Sequence, residues 1–196
     1  MDPSKVFESL FLSIGAMKAG TTWLYSVLNQ HPSLHFAMEK EIHYFHHRYI
    51  QNGPLSERAR VDRCQNGYLR RNTVNIDRLR KEMRWVSAYL DCPVDDYWYR
   101  NLFQMRDHER YACDFSNLNS QLPAAAWSDI DTKTEHLRVL YTMRDPVKRL
   151  WSHVKFDLQI NGNIDKLKTW TPKEFENGCA CPIFGSTPNM ERFCAV

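Results

Sequence analysis

Twice along the chain an apolar run ends in a short loop that carries a basic residue and then gives way to a helical pattern. That recurring order constrains the fold more than any other feature of the sequence. In FLSIGAMKAGTTWLYSVLNQHP, residues 11–32, the residues Phe11, Leu12 and Ile14 read as a buried strand ending at Gly15. Leu24, Val27 and Leu28 then recur at the i, i+3, i+4 spacing of one helix face, and His31-Pro32 stops the helix. Further on, Leu137, Val139, Leu140 and Tyr141 read as a strand and Thr142-Met143-Arg144-Asp145 as its loop, with Pro146 where a first helical turn tolerates proline. Val147, Leu150, Trp151, Val154 and Leu158 give that helix its apolar face. Two such units predict an α/β fold with a central, mostly parallel sheet flanked by helices, binding its ligand at the strand ends.

The first loop, Ala16-Met17-Lys18-Ala19-Gly20-Thr21-Thr22, has the chemistry of an anion site. Gly20 lets the backbone approach a ligand closely, and Thr21 and Thr22 open the helix. Free N–H groups, the positive end of the helix dipole and the Lys18 ammonium converge on one point, which suits a phosphate-like group. The arrangement is P-loop-like, in three layers. In the nucleotide-binding loop G-x-x-x-x-G-K-[ST], however, lysine follows the last glycine, whereas Lys18 precedes Gly20. That order is wrong for an ordinary ATP or GTP site, and the same residues also fit a tight turn with Lys18 in solvent. In the second loop Arg144 stands just before the helix, with Asp145, Lys148 and Ser152 spaced along one face. An arginine fork, helix-end amides and a hydroxyl suit a second phosphate, and an ordinary surface ion pair of Arg144 is the alternative. Together the loops ask for a ligand with two separated anionic groups.

A length of 196 residues, with 43% hydrophobic and 13% aromatic, suits a single domain spanning 1–196 with a sizeable core. A formal charge of +3 is too small to indicate a nucleic-acid binder. No apolar stretch reaches membrane-span length, and MDPSKVFESLF carries acidic residues where a secretory leader needs basic ones, so a soluble, cytoplasmic protein is expected. Cys64, Cys92, Cys113, Cys179, Cys181 and Cys194 match no paired zinc spacing and are read as reduced thiols, with a disulfide in the tail as the alternative. Residues 68–90 read as a helix with Ile76, Leu79, Met83, Val86 and Leu90 on its apolar side and Arg78, Arg80, Lys81 and Arg84 on a solvated one. Residues 94–103 read as a short aromatic helix, and the stretch beyond Trp170 as loop. His43, His46 and His47 lack the partner spacing of a metal site and read as pocket or surface residues.

Set in order, these motifs resemble the sulfotransferases that use 3′-phosphoadenosine 5′-phosphosulfate (PAPS), in particular the heparan-sulfate type and related bacterial members. K-A-G-T-T-W-L followed by H-P is similar to their 5′-phosphosulfate loop, and R-D-P-V-K-R-L-W-S-H to their 3′-phosphate motif. E-K-E-I-H-Y-F resembles the segment that supplies a catalytic glutamate, here Glu41, and C-D-F-S-N-L-N-S-Q-L-P more loosely resembles the family's G-E-x-S-P-x-Y. The matches span residues 11–158 and leave 170–196 unassigned.

The resemblance implies that Lys18, Ala19, Gly20, Thr21 and Thr22 hold the 5′-phosphosulfate and that Trp23 lies against the adenine. It implies that Arg144 and Ser152 bind the 3′-phosphate, that Glu41 deprotonates the acceptor and that Lys18 also stabilises the leaving phosphate. The product would be adenosine 3′,5′-bisphosphate (PAP), and no metal is called for, since fixed N–H groups and lysine serve instead. The acceptor would be a carbohydrate, a phenol or another hydroxyl or amine compound, with Tyr44, Phe45, Tyr97, Trp98 and Tyr99 suited to stacking or equally to packing.

Asp114 stands where many relatives have Glu, Asn117 where they have Pro, and no histidine lies in that stretch, which favours Glu41 as base over Asp114. The family's later strands and basic loop find no match after residue 158, as in a truncated or divergent member. Two other readings are a PAPS- or PAP-binding module without turnover and a kinase-like ATP enzyme, the latter disfavoured by the lysine order.

Overall fold

The computed structural model describes residues 5–50, 54–70, 75–162 and 164–165. The chain forms two compact units, one ending at Arg144 and one beginning at Asp145. The first is built on four strands, β1 (Phe7–Ser13), β2 (Leu34–Phe36), β3 (Tyr111–Phe115) and β4 (Thr134–Leu140), in the order β2-β3-β1-β4 with every pair parallel. Ser13 is in register with Phe115 on one side and Leu140 on the other, so the carboxyl ends of β1, β3 and β4 stand level. The loops that follow them leave from one edge of the sheet.

Side chains alternate across each strand, and the two faces are covered by different helices. Leu10, Leu12 and Ala112 join a core with α2 (Tyr44–Ile50), α3 (Glu57–Cys64), α4 (Ile76–Leu90), α5 (Asp96–Asn101) and α6 (Ala124–Lys133). Phe11, Cys113 and Phe115 face the other way and pack with Phe36 against Leu24, Tyr25 and Leu28 of α1 (Thr21–Leu28). Helices on both faces of a parallel sheet make the three layers expected of an α/β fold.

Several expectations need correction. On α1 the Tyr25 ring meets Phe36 edge-on at 4.8 Å and Phe115 at 5.8 Å, while Val27 is 47% exposed, so Tyr25 replaces Val27 on the buried face. The helix expected over 68–90 is shorter. Tyr68 and Leu69 close a π-helical turn (Gln65–Leu69), residues 71–74 lie outside the described ones, and α4 starts at Ile76 behind an Asn75 cap that accepts the Arg78 N–H. Its buried residues are Glu82, Trp85, Val86 and Tyr89, with Ile76 and Leu79 outside. Arg78 pairs with the buried Glu82 carboxylate at 2.9 Å, and Trp85 stacks on Tyr89 at 4.7 Å, so the large rings rather than the aliphatic residues fill the core.

The 94–103 segment folds as α5, and Tyr44, Phe45, Trp98 and Tyr99 are all buried in one ring cluster, with Tyr44 stacked on Tyr99 at 4.6 Å. These four pack the core and offer no stacking surface; of the aromatic set only Tyr97 is exposed. Strand β4 begins at Thr134, three residues earlier than its apolar run.

The second unit contributes α7 (Pro146–Ile160), with proline in its first turn, the Asp145 carboxylate accepting the Lys148 N–H at 2.8 Å, and Val154 and Leu158 buried. Cys64, Cys92 and Cys113 are free thiols; the other three cysteines and the proline- and glycine-rich stretch beyond Trp170 lie outside the described residues. Among the described residues no helix is long and apolar enough to cross a membrane.

Candidate active site

The loop after β1 is laced to the loop after β4 by backbone bonds. Ile14 N–H donates to Leu140 O at 3.0 Å, Ala16 N–H to Thr142 O at 2.8 Å and Thr142 N–H to Gly15 O at 2.7 Å, with the Thr142 hydroxyl on the same Gly15 carbonyl at 2.8 Å. Arg144 completes the seam by donating to the Lys18 carbonyl at 3.2 Å, not to a neighbouring acid. Lys18 and Arg144, separate in sequence, thus stand in one surface. Ser152 belongs to the second unit, on α7.

Gly20 has φ +89 and is the N-cap of α1, yet a Cβ there would meet nothing within 4 Å. Its requirement is therefore conformational: only glycine adopts that φ without strain. The caps of α3, α4, α5 and α7 are side chains of Ser56, Asn75, Asp95 and Asp145, each accepting a first-turn N–H. Helix α1 has no side-chain cap and no acidic residue in its first turn, so the cap leaves its positive end unneutralised. Thr21 is buried there, Thr22 is exposed, and Trp23 is 71% exposed.

Glu41 lies between β2 and α2, with φ 65. Its Oε2 accepts the Asn117 N–H at 2.8 Å and its Oε1 accepts from Lys40 Nζ at 3.2 Å. The same Lys40 ammonium reaches the Thr22 hydroxyl at 3.3 Å, so one cation joins the start of α1 to the Glu41 carboxylate. His43 Nε2 is 3.7 Å from Glu41 Oε2, but burial, then the nearby Arg63, His46 and Lys40, push its pKa down to about 4 and leave it neutral at pH 7. Nothing in the sequence singles out Lys40, and Asn117 stands out there only as a departure from the family's proline, not as a partner of Glu41. Lys40 is flanked by two glutamates, which reads as a solvated charge run; only its position over α1 makes it part of the site.

Asp114 is 1% exposed. It accepts from the Ser116 hydroxyl at 2.7 Å and the Tyr99 hydroxyl at 3.1 Å. Burial pushes its pKa up to about 7, with the Glu41 charge adding to the rise and the two hydroxyls opposing it. A side chain so enclosed cannot reach an acceptor in solvent. Among the described residues no group of three His, Cys, Asp or Glu side chains is placed to hold a metal ion.

A parallel sheet with helices on both faces, whose strand-end loops carry an uncapped helix start, two cations and a carboxylate, is a P-loop-like α/β protein with a site suited to anions. A family model described as the sulfotransferase family matches residues 11–175, and the chain belongs to that family, whose general activity is sulfotransfer. No curated protein and no solved structure matches the chain.

Proposed function

We propose that the protein moves a sulfuryl group from PAPS to a hydroxyl or amine of a carbohydrate, phenol or similar small acceptor, with Glu41 as general base. The observation that carries this reading is the Lys40 bridge, which brings the uncapped start of α1 within reach of a carboxylate held by the Asn117 amide. Lys18, Ala19, Gly20, Thr21 and Thr22 take the 5′-phosphosulfate, the exposed Trp23 lies on the adenine, and the Arg144 guanidinium takes the 3′-phosphate.

The donor supplies an activated sulfuryl group whose bond to phosphate breaks as the bond to the acceptor forms. Glu41 accepts the proton of the attacking hydroxyl or amine, which requires only hydrogen-bond reach. Lys18 and the first-turn amides of α1 stabilise the charge that gathers on the departing phosphate. Positioning two reactants at one strand end contributes the rest.

Thermal shift with PAP and ATP, followed by transfer of labelled sulfuryl from PAPS to a panel of glycans, phenols, lipids and peptides, tests the reading. PAP is expected to stabilise the protein more than ATP, and label is expected in at least one acceptor class. Equal stabilisation by ATP would favour an ATP enzyme, and PAP binding without transfer to any acceptor would favour a binding module.

A further inference from the structure

We propose that Asp114 is the positioning residue of this site: together with Ser116 its carboxylate clamps the backbone from Glu41 to His43 and thereby aims Glu41, without taking the acceptor's proton itself. The role in transfer rests on the function proposed above; the clamp does not.

Three successive amides of the Glu41 loop face residues 114–116, the end of β3 and the residue after it. Glu41 N–H donates to the Phe115 carbonyl at 3.1 Å and His43 N–H to the Ser116 hydroxyl at 2.9 Å, while Ile42 N–H between them faces the Asp114 carboxylate. Ser116 in turn donates its proton to Asp114 at 2.7 Å, so the carboxylate sets the direction of the hydroxyl that holds His43. Glu41 and His43 have φ of 65 and 61, a region non-glycine residues adopt only when their surroundings enforce it. The clamp is that enforcement. The adjoining Asn117 amide then holds the Glu41 carboxylate itself at 2.8 Å.

The donors around Asp114 match a carboxylate better than an amide, although burial makes the charge itself costly. Ser116 O–H, Tyr99 O–H and Ile42 N–H all point donors at Asp114, and an ionised carboxylate is acceptor-only, whereas an asparagine would set an NH₂ against one of them. A protonated Asp114 meets the same conflict. Its titratable neighbours are Glu41 from the loop, Tyr99 from α5, Tyr44 from α2 stacked on that ring, and Cys113 beside it on β3. Burial raises both tyrosines and pushes the Cys113 thiol up to about 12, so all three are neutral near pH 7 and Glu41 is the charged neighbour. The clamp is therefore complete on the alkaline side of about pH 7 and loosens on the acid side.

Amide hydrogen exchange over residues 39–45, corrected for intrinsic rates, is compared between the wild type and Asp114→Asn at pH 6 and pH 8. Exchange at Glu41 to His43 is expected to be about tenfold faster in the variant at pH 8, and the wild type is expected to approach the variant at pH 6. Transfer by Asp114→Asn is expected to fall about ten- to a hundredfold in kcat with PAP affinity within twofold, and to lose the pH dependence near 7. If Asp114→Asn does not fold, Ser116→Ala removes the His43 acceptor together with one donor to Asp114 and is read by the same exchange at Glu41 to His43. Unchanged exchange at these amides, whatever the activity, overturns the clamp. Faster exchange in a protein that neither binds PAP nor transfers sulfuryl upholds the clamp and counts against the donor reading.

Discussion

Replacing Arg144 with alanine should separate two nucleotides that differ only in their 3′ end. In the free protein Arg144 is exposed and spends one N–H on the Lys18 carbonyl at 3.2 Å, a surface bond whose loss costs about 0.5–1.5 kcal/mol at most, so the variant should fold. A guanidinium carries five donors, enough to hold that carbonyl and a phosphate together. A hydrogen bond to a charged group is worth about 1.5–3 kcal/mol, and at about 1.4 kcal/mol per tenfold the expected loss is roughly ten- to 150-fold for PAP. Adenosine 5′-monophosphate lacks the 3′-phosphate, and its affinity should change by less than about threefold, the residue of a slightly loosened Lys18 loop. Titration calorimetry of both ligands on both proteins measures the four constants. An equal loss for the two nucleotides would assign Arg144 to bracing the Lys18 loop and refute the 3′-phosphate role.

Three further outcomes follow from named contacts. Lys18→Ala is expected to weaken PAP binding and to slow single-turnover transfer as well, since the ammonium acts on the bound donor and on the leaving phosphate; unchanged transfer would reduce the loop to a structural turn. Leu12→Ala empties a fully buried position on β1 and should cost about 2–5 kcal/mol in urea unfolding, whereas a loss below about 1 kcal/mol would mean the sheet is not packed as described. Asp114 is held above its unfolded pKa, so its contribution to stability is full below about pH 4 and is lost as pH rises through about 7. The Tm of Asp114→Asn relative to wild type should therefore climb between pH 5 and pH 8, and a difference independent of pH would contradict the raised pKa.

What could be read from the sequence were the segments in which local pattern and tertiary role agree. The runs ending at Gly15 and at Tyr141 are strands β1 and β4, and the loops that follow them carry Lys18 and Arg144 as expected. Strand β2 is three residues long with a histidine at its centre, too short for period-two alternation to register, and β3 hides a buried aspartate where the pattern wants an apolar residue. On α4 the buried Glu82 is tolerated because Arg78 pairs with it one turn away, a compensation that hydropathy counts as two polar positions. The site divides along the same line. Lys18, Gly20 and Glu41 stand in recognisable motifs, but the reach of Lys40 to Thr22 and the seam between Gly15 and Thr142 depend on loops meeting from distant parts of the chain. No local spacing encodes that.

Single-turnover sulfuryl transfer by the wild type and by Glu41→Gln, with PAPS in excess of its dissociation constant and the best acceptor of the panel, isolates the proton-transfer step. The amide oxygen of glutamine can still accept the Asn117 N–H, while its NH₂ replaces the oxygen that faces Lys40, so the loop should be preserved and PAP affinity should shift by no more than about threefold while the proton acceptor is lost. Transfer is predicted to slow by about 10² to 10⁴, the span associated with a general base. A Glu41→Gln variant that binds PAP normally and transfers at the wild-type rate would mean that Glu41 does not deprotonate the acceptor at the end of this sheet.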